Sequence, residues 1–162
     1  MSDLLFKAPL EYEPLRKNRF YFKFPSDTGI QGWWVATSSL PSINQNTTEI
    51  QFMNTSTWVL GRYTWDDITI TFRQFIGPST AQAIMEWIRL CSESVTGRQG
   101  YAAGYKRNVT ITVQDPNGVD VQKWVLINAF PTTMTNSDLA YDSDDLLTME
   151  INLKYDYAIL VY

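Results

Sequence analysis

The 162-residue chain reads as a mostly β domain, a sandwich or barrel of two antiparallel sheets with one flanking α-helix. Polar and apolar residues alternate with period two in 67–73, 108–114 and 147–157, which marks strands with one wet and one dry face. A single segment, 81–93, carries its apolar residues at helical spacing instead. Aromatic residues, favoured on pleated surfaces, make up 14% of the chain, and 44% hydrophobic content at this length supports one core and one domain, 1–162.

Pro9 and Pro14 interrupt both helix and central strand, so residues 1–15 are expected to form an extended N-terminal arm. Residues 17–24 are strand-like and end at Pro25. The turn chemistry of Ser26, Asp27, Thr28 and Gly29 then predicts that 31–37 pairs back on them as a hairpin. Pro41 stops that strand. Residues 42–58 are rich in Asn, Thr and Ser and read as a long exposed loop, yet Ile50, Phe52 and Met53 interrupt it, and a wholly solvated loop has no need of them.

In 67–73, Ile68, Ile70 and Phe72 share one face and Thr69, Thr71 and Arg73 the other. Ser79 or Thr80, after Pro78, can cap a helix expected over 79–94, whose Ile84, Trp87, Ile88 and Cys91 form the stripe that lies on the sandwich. Gly97, Gly100 and Gly104 mark the loop that leaves it. Val109, Ile111 and Val113 alternate with Thr110 and Thr112, and Asp115, Pro116, Asn117 and Gly118 turn the chain into 121–128 as a second hairpin. The last strand, 147–157, sets Met149, Ile151 and Leu153 against Glu150 and Asn152. Beyond it, the apolar tail 158–162 is an aggregation hazard unless covered, so it is predicted to pack on its own sheet or on a neighbour.

Chemistry is sparse. The chain has no histidine, which removes the commonest general base and neutral metal ligand, and no catalytic, cofactor or metal site is assigned. Asp138, Asp142, Asp144 and Asp145 begin like a calcium loop, but the expected Gly is missing and Leu153 stands where the bidentate Glu belongs. Adjacent Asp66 and Asp67 would point to opposite faces of a strand, and the glycines around 97–104 do not match a phosphate loop. The single Cys91 allows no internal disulfide and suits a small buried hydrophobe. A net charge of −4 gives no basic stripe for stable nucleic-acid binding, and neither a signal-type start nor a membrane-length apolar run is present, so the expectation is assembly in the cytoplasm without a membrane anchor. Trp33, Trp34, Trp58 and Trp65 leave open a lectin-like carbohydrate-binding module, although adjacent Trp33 and Trp34 cannot serve one face.

The order of motifs resembles the tail tube protein of contractile-tailed bacteriophages, a family that includes inner tubes of related injection systems. The motifs are ATSSLP at 36–41, IQFMN at 50–54, Gly61 followed by WDDITITF at 65–72, the helix closing on Glu86 and Trp87, Tyr105–Lys106, FPT at 130–132 and LLTMEINLKYDY at 146–157. The resemblance implies a structural virion protein, not an enzyme. Its hexameric rings would stack into a hollow tube, the sheets of six subunits joining into one barrel around a lumen crossed by DNA. Implied partners are other copies of the chain, the sheath, baseplate or initiator and tail terminator proteins, and, transiently in the lumen, tape measure protein and DNA. A baseplate tube initiator and the inner tube of an injection or secretion system are the alternatives within the family. The 42–58 segment resembles the loop that reaches the adjacent ring, with Asn44, Ile50, Phe52, Met53, Asn54 and Trp58 as candidate interface residues. Thr69, Thr71, Arg73, Thr110, Thr112, Glu150 and Asn152 are the candidate lumen lining, and the negative charge is expected to concentrate there, where it would repel phosphate.

Overall fold

The computed structural model describes residues 13–162, so the predicted arm lies outside it apart from exposed Glu13, Pro14 and Leu15. Nine strands and two helices follow in order: β1 (Phe20–Lys23), β2 (Val35–Ser38), β3 (Ile43–Phe52), β4 (Thr55–Trp65), β5 (Ile68–Arg73), α1 (Thr80–Cys91), the single turn α2 (Ala102–Tyr105), β6 (Arg107–Gln114), β7 (Asp120–Asn136), β8 (Thr148–Lys154) and β9 (Tyr157–Leu160). The seven pairings among these strands are all antiparallel. β7 runs through both sheets, its first half pairing with β6 and β9 and its second with β8. Sheet A is thus β1-β6-β7-β9, and sheet B is β7-β8-β5-β2.

The corner between the sheets is built from polar residues. Asn128 takes a left-handed conformation (φ 56°) beside a break in the β6–β7 register, and its Nδ2 donates to Asp156 Oδ2 at 2.7 Å. Asp156 in turn donates its backbone N–H to the Ile127 carbonyl and accepts from Lys106 Nζ at 3.4 Å. The Asn128 hydrogen bond, followed by Lys106, holds the Asp156 carboxyl below its usual range. Asn is one of the few residues that tolerates this backbone, so sequence, bend and ion pair meet at one point.

Between the sheets lies one core. Phe22, Val109, Ile111 and Leu126 of sheet A meet Ile68, Ile70, Phe72, Met149, Ile151 and Leu153 of sheet B. These are the apolar halves of the alternating patterns. Helix α1 closes one side, with Ile84 and Trp87 buried and Trp87 Nε1 donating to the Tyr105 carbonyl at 2.9 Å. Its N-terminus is capped as expected, the Ser79 hydroxyl accepting from the Gln82 N–H.

Three expectations are corrected. Residues 31–37 do not pair back on 17–24: β1 pairs with β6 and β2 with β5, and the connection folds into short 3-10 turns at Ser26–Thr28 and Gly32–Trp34 that drop Phe24, Ile30 and Trp34 into the core. The 42–58 loop is not a loop; it is most of a two-stranded ribbon, β3–β4, detached from both sheets. The last strand breaks at Tyr155–Asp156, and the tail continues as β9 on its own sheet, Val125 opposite Ile159.

Candidate functional site

Two surfaces stand out, the β3–β4 ribbon and the outer face of sheet B. The ribbon is rooted by Trp65, whose ring lies 6.1 Å from that of buried Tyr155, by the Asp66 N–H on the Ser42 carbonyl, and by Asn44 Nδ2 donating to Asp66 Oδ1 at 2.8 Å. Asn44 is therefore spent at the root, well away from the tip. Register then sorts the rest. Ile50 lies opposite Thr57 and Phe52 opposite Thr55, on the face that Val59 shares; Trp58 lies opposite Glu49 and Leu60 opposite Thr47, on the other. All of them are exposed, so both faces of the ribbon present large apolar side chains.

At the tip, Met53 and Asn54 form a two-residue turn between Phe52 and Thr55. Met53 has φ 52°, a backbone region that costs a residue with a side chain about 1 kcal/mol or more, and its side chain is 89% exposed. A strained, solvated thioether contributes nothing to this chain's own core. A lone two-stranded ribbon is marginal in water, and one with apolar groups on both faces gains stability only when covered from both sides.

Sheet B turns Ile68, Ile70, Phe72, Met149, Ile151 and Leu153 inward, so the intervening residues line its outer face. There, Thr37, Thr71, Glu150 and Thr135 form one row across all four strands, and Thr69, Asn152 and Thr133 form the next. The Thr69 hydroxyl donates to Asn152 Oδ1 at 2.9 Å. The only charges on the strands of this face are Arg73, Glu150 and Lys154, so the negative charge expected there is not concentrated on it.

Thr110 and Thr112 lie elsewhere. They sit on β6 in sheet A, whose outer face looks away from the core on the opposite side, and Thr112 is buried between its cross-strand neighbours Tyr21 and Lys123. They cannot line the same surface as Thr69, Thr71, Arg73, Glu150 and Asn152. Sequence reasoning missed Thr37, Thr133 and Thr135. The alternation Thr133-Met134-Thr135 was the available signal, hidden because the expected strand stopped at 128.

Sheet B has two unpaired edges. One is the far side of β2, and the other is the second half of β7, because β6 pairs only with the first half. Among the described residues no three His, Cys, Asp or Glu side chains converge to hold a metal, and no helix is long and apolar enough to cross a membrane.

The family model described as "T4-like virus tail tube protein gp19" matches residues 16–159. No curated protein matches the sequence. Among solved structures, the anti-feeding prophage cap (AFP tube terminating cap) superposes with TM-score 0.75 at 20% identity, covering 99% of this chain and 98% of that one. The PVC sheath-tube complex of an extracellular contractile injection system, in its extended state, gives TM-score 0.73 at 22% identity over 93% of each chain. Hcp1 from Flavobacterium johnsoniae gives 0.56 at 10% identity, covering 88% of this chain and 94% of that one. At these identities the structures share the fold.

Proposed function

Because the chain belongs to the T4-like virus tail tube protein family, a family of structural tube subunits, we propose that its copies close into hexameric rings that stack into the inner tube of a contractile particle. The observation that carries this reading is sheet B, four strands with a polar outer face and two open edges. Unpaired edges invite strand addition, and closure of six such sheets into a barrel removes every one of them.

In that ring the β2 edge of one copy pairs with the second half of β7 in the next. The bore is then lined by Thr37, Thr69, Thr71, Thr133, Thr135, Glu150, Asn152, Arg73 and Lys154. Hydroxyl and amide groups dominate, so passing cargo meets a hydrated wall of low charge that neither grips nor strongly repels a phosphate backbone. Sheet A faces outward, where a sheath would lie. The ribbon, with Ile50, Phe52, Met53 and Trp58, reaches the adjacent ring. Baseplate, terminator and sheath proteins are the further partners of this reading, and DNA or other cargo crosses the bore without stable binding.

Negative-stain electron microscopy over a concentration series tests it. Six-fold rings that lengthen into hollow tubes are expected. Assemblies that stop at one or two rings at every concentration would favour a tube initiator, and a persistent monomer that binds sugars would overturn the reading in favour of a carbohydrate-binding sandwich.

A further inference from the structure

We propose that an apolar groove on the open side of the sandwich is the seat of this chain's own residues 1–12, with Leu10 and Tyr12 filling it. The contact lies within one copy and stands apart from the ring reading.

The groove encloses about 390 Å³ between the start of β1 and the stretch that follows β2. It exists because both strands are outermost. Among the described residues β1 pairs only with β6 and β2 only with β5, so no strand joins the two sheets on this side. Core side chains Phe22, Ile111 and Val113 form the floor, and Phe20 with exposed Leu15 and Leu40 forms the walls. An apolar cleft that reaches down to core residues marks a place for an occupant.

The described part of the chain starts beside this cleft. Glu13 stands two residues before Leu15, and a turn closed by the Arg19 N–H on the Arg16 carbonyl (3.3 Å) brings the upstream chain back past the start of β1. The sequence leading up to Glu13 alternates. Leu4, Phe6, Ala8, Leu10 and Tyr12 take the even positions, and Asp3, Lys7, Glu11 and Glu13 fall on odd ones. In an extended segment those two sets point to opposite sides, and Pro9 and Pro14 favour extended backbone at Ala8 and Glu13. One apolar and one charged face is the pattern of a half-covered strand. Leu5 departs from it, at the far end of the arm.

Charge agrees with this placement. Arg16 and Lys17 line the cleft, and the ion pairs among the described residues, Lys106–Asp156 and Arg107–Asp27, include neither. When Leu10 and Tyr12 turn inward, Glu11 and Glu13 stay outside, close to those cations. Proximity selects the chain's own arm over a neighbour's. Tyr12 is three residues from Leu15, so seating it closes a very short loop, whereas an arm from another copy also carries the cost of association.

A double-mutant cycle in the full chain tests this, read by thermal unfolding in protein too dilute to assemble. Leu10→Ser and Tyr12→Ser should each lower the melting temperature by about 3–8 °C, as for loss of one large covered side chain. Glu11→Ser, on the outer face, should lower it by no more than about 2 °C. Leu40→Ser should cost much less in a Leu10→Ser chain than in wild type, because the two side chains share one contact. Equal sensitivity at positions 10, 11 and 12, or strictly additive effects of Leu10 and Leu40, would overturn the seat. The occupant is identified in a chain carrying Leu10→Cys, Leu40→Cys and Cys91→Ser. A short bis-maleimide should link the two new thiols within a monomer at every dilution. Cross-linked dimers would overturn the proposal in favour of a neighbour's arm, and a chain that gives neither product would overturn it outright.

Discussion

The corner at Asn128 offers a sharp test of how the two sheets are held in relation. Asn128 contributes a left-handed backbone at φ 56° and a 2.7 Å hydrogen bond to the exposed carboxylate of Asp156. Asn128→Ala loses both. The Cβ of Ala in that conformation costs roughly 1 kcal/mol, and the lost bond, discounted because Asp156 is solvated, roughly 0.5–1 kcal/mol. The sum is about 2 kcal/mol, or roughly 4–8 °C in melting temperature for a domain of this size. Asn128→Gly adopts the conformation freely and loses the bond, with a smaller conformational penalty, so it should lie about 1 kcal/mol above Ala. Urea unfolding below the assembly concentration measures both. Protonation adds a second check: the Asp156 carboxyl titrates below its usual range, so the stability that comes from its bonds is present above that range and lost as the pH falls through the lowered value. The gap between wild type and Asn128→Gly should close there. Equal stability of Ala and Gly at neutral pH would show that the backbone conformation does not hold the corner.

Three further outcomes follow from the geometry. Trp58→Ala should change monomer stability by less than about 0.5 kcal/mol, since the side chain is exposed on the ribbon, while tubes are lost; a parallel fall in melting temperature would mean that the indole packs within its own chain. Burial, and then the charge of Asp66, pushes the Tyr155 hydroxyl up to about 12, so the neutral form is favoured in the folded state and stability is lost as pH rises from about 10 through that value. Tyr155→Phe should flatten the alkaline limb of a stability–pH curve, and an unchanged limb would refute the assignment. Gly32→Ala places a methyl group against the Phe22 backbone carbonyl and should cost about 1–3 kcal/mol, whereas Gly104→Ala, with open space around it on α2, should be neutral or mildly stabilising in the same thermal assay.

Much of the fold was legible because burial is one-sided. Strands β5 and β8 each bury one face, and β6 does so except at buried Thr112, so their side chains alternate and the pattern names them; α1 is legible for the same reason at period 3.6. The ribbon escaped because it buries neither face in the single chain, so Thr, Asn and Ser mix with Ile, Phe and Trp without contrast. β1 and β2 are four residues each, too short to carry a period, and their partners are distant in sequence: Phe22 opposite Ile111 and Val35 opposite Phe72. Thr110 and Thr112 were grouped with Thr69 and Thr71 because alternation reveals that a strand has a wet face without saying which way the face looks. That direction is set where β7 bends at Asn128, a property of one backbone torsion.

The strand count of sheet B carries a consequence for symmetry. Its four strands alternate in direction, so its two free edges run in opposite senses. In the proposed ring a copy added at either side would therefore meet an antiparallel partner, and so would the next, whatever the total. Strand polarity imposes no arithmetic on the ring. In the proposed ring, the number of subunits would then be set by the tilt and stagger of the strands and by the angle between the two flanks of the sandwich, so substitutions that alter that angle or the register at the seam are the ones that would change the diameter of the bore.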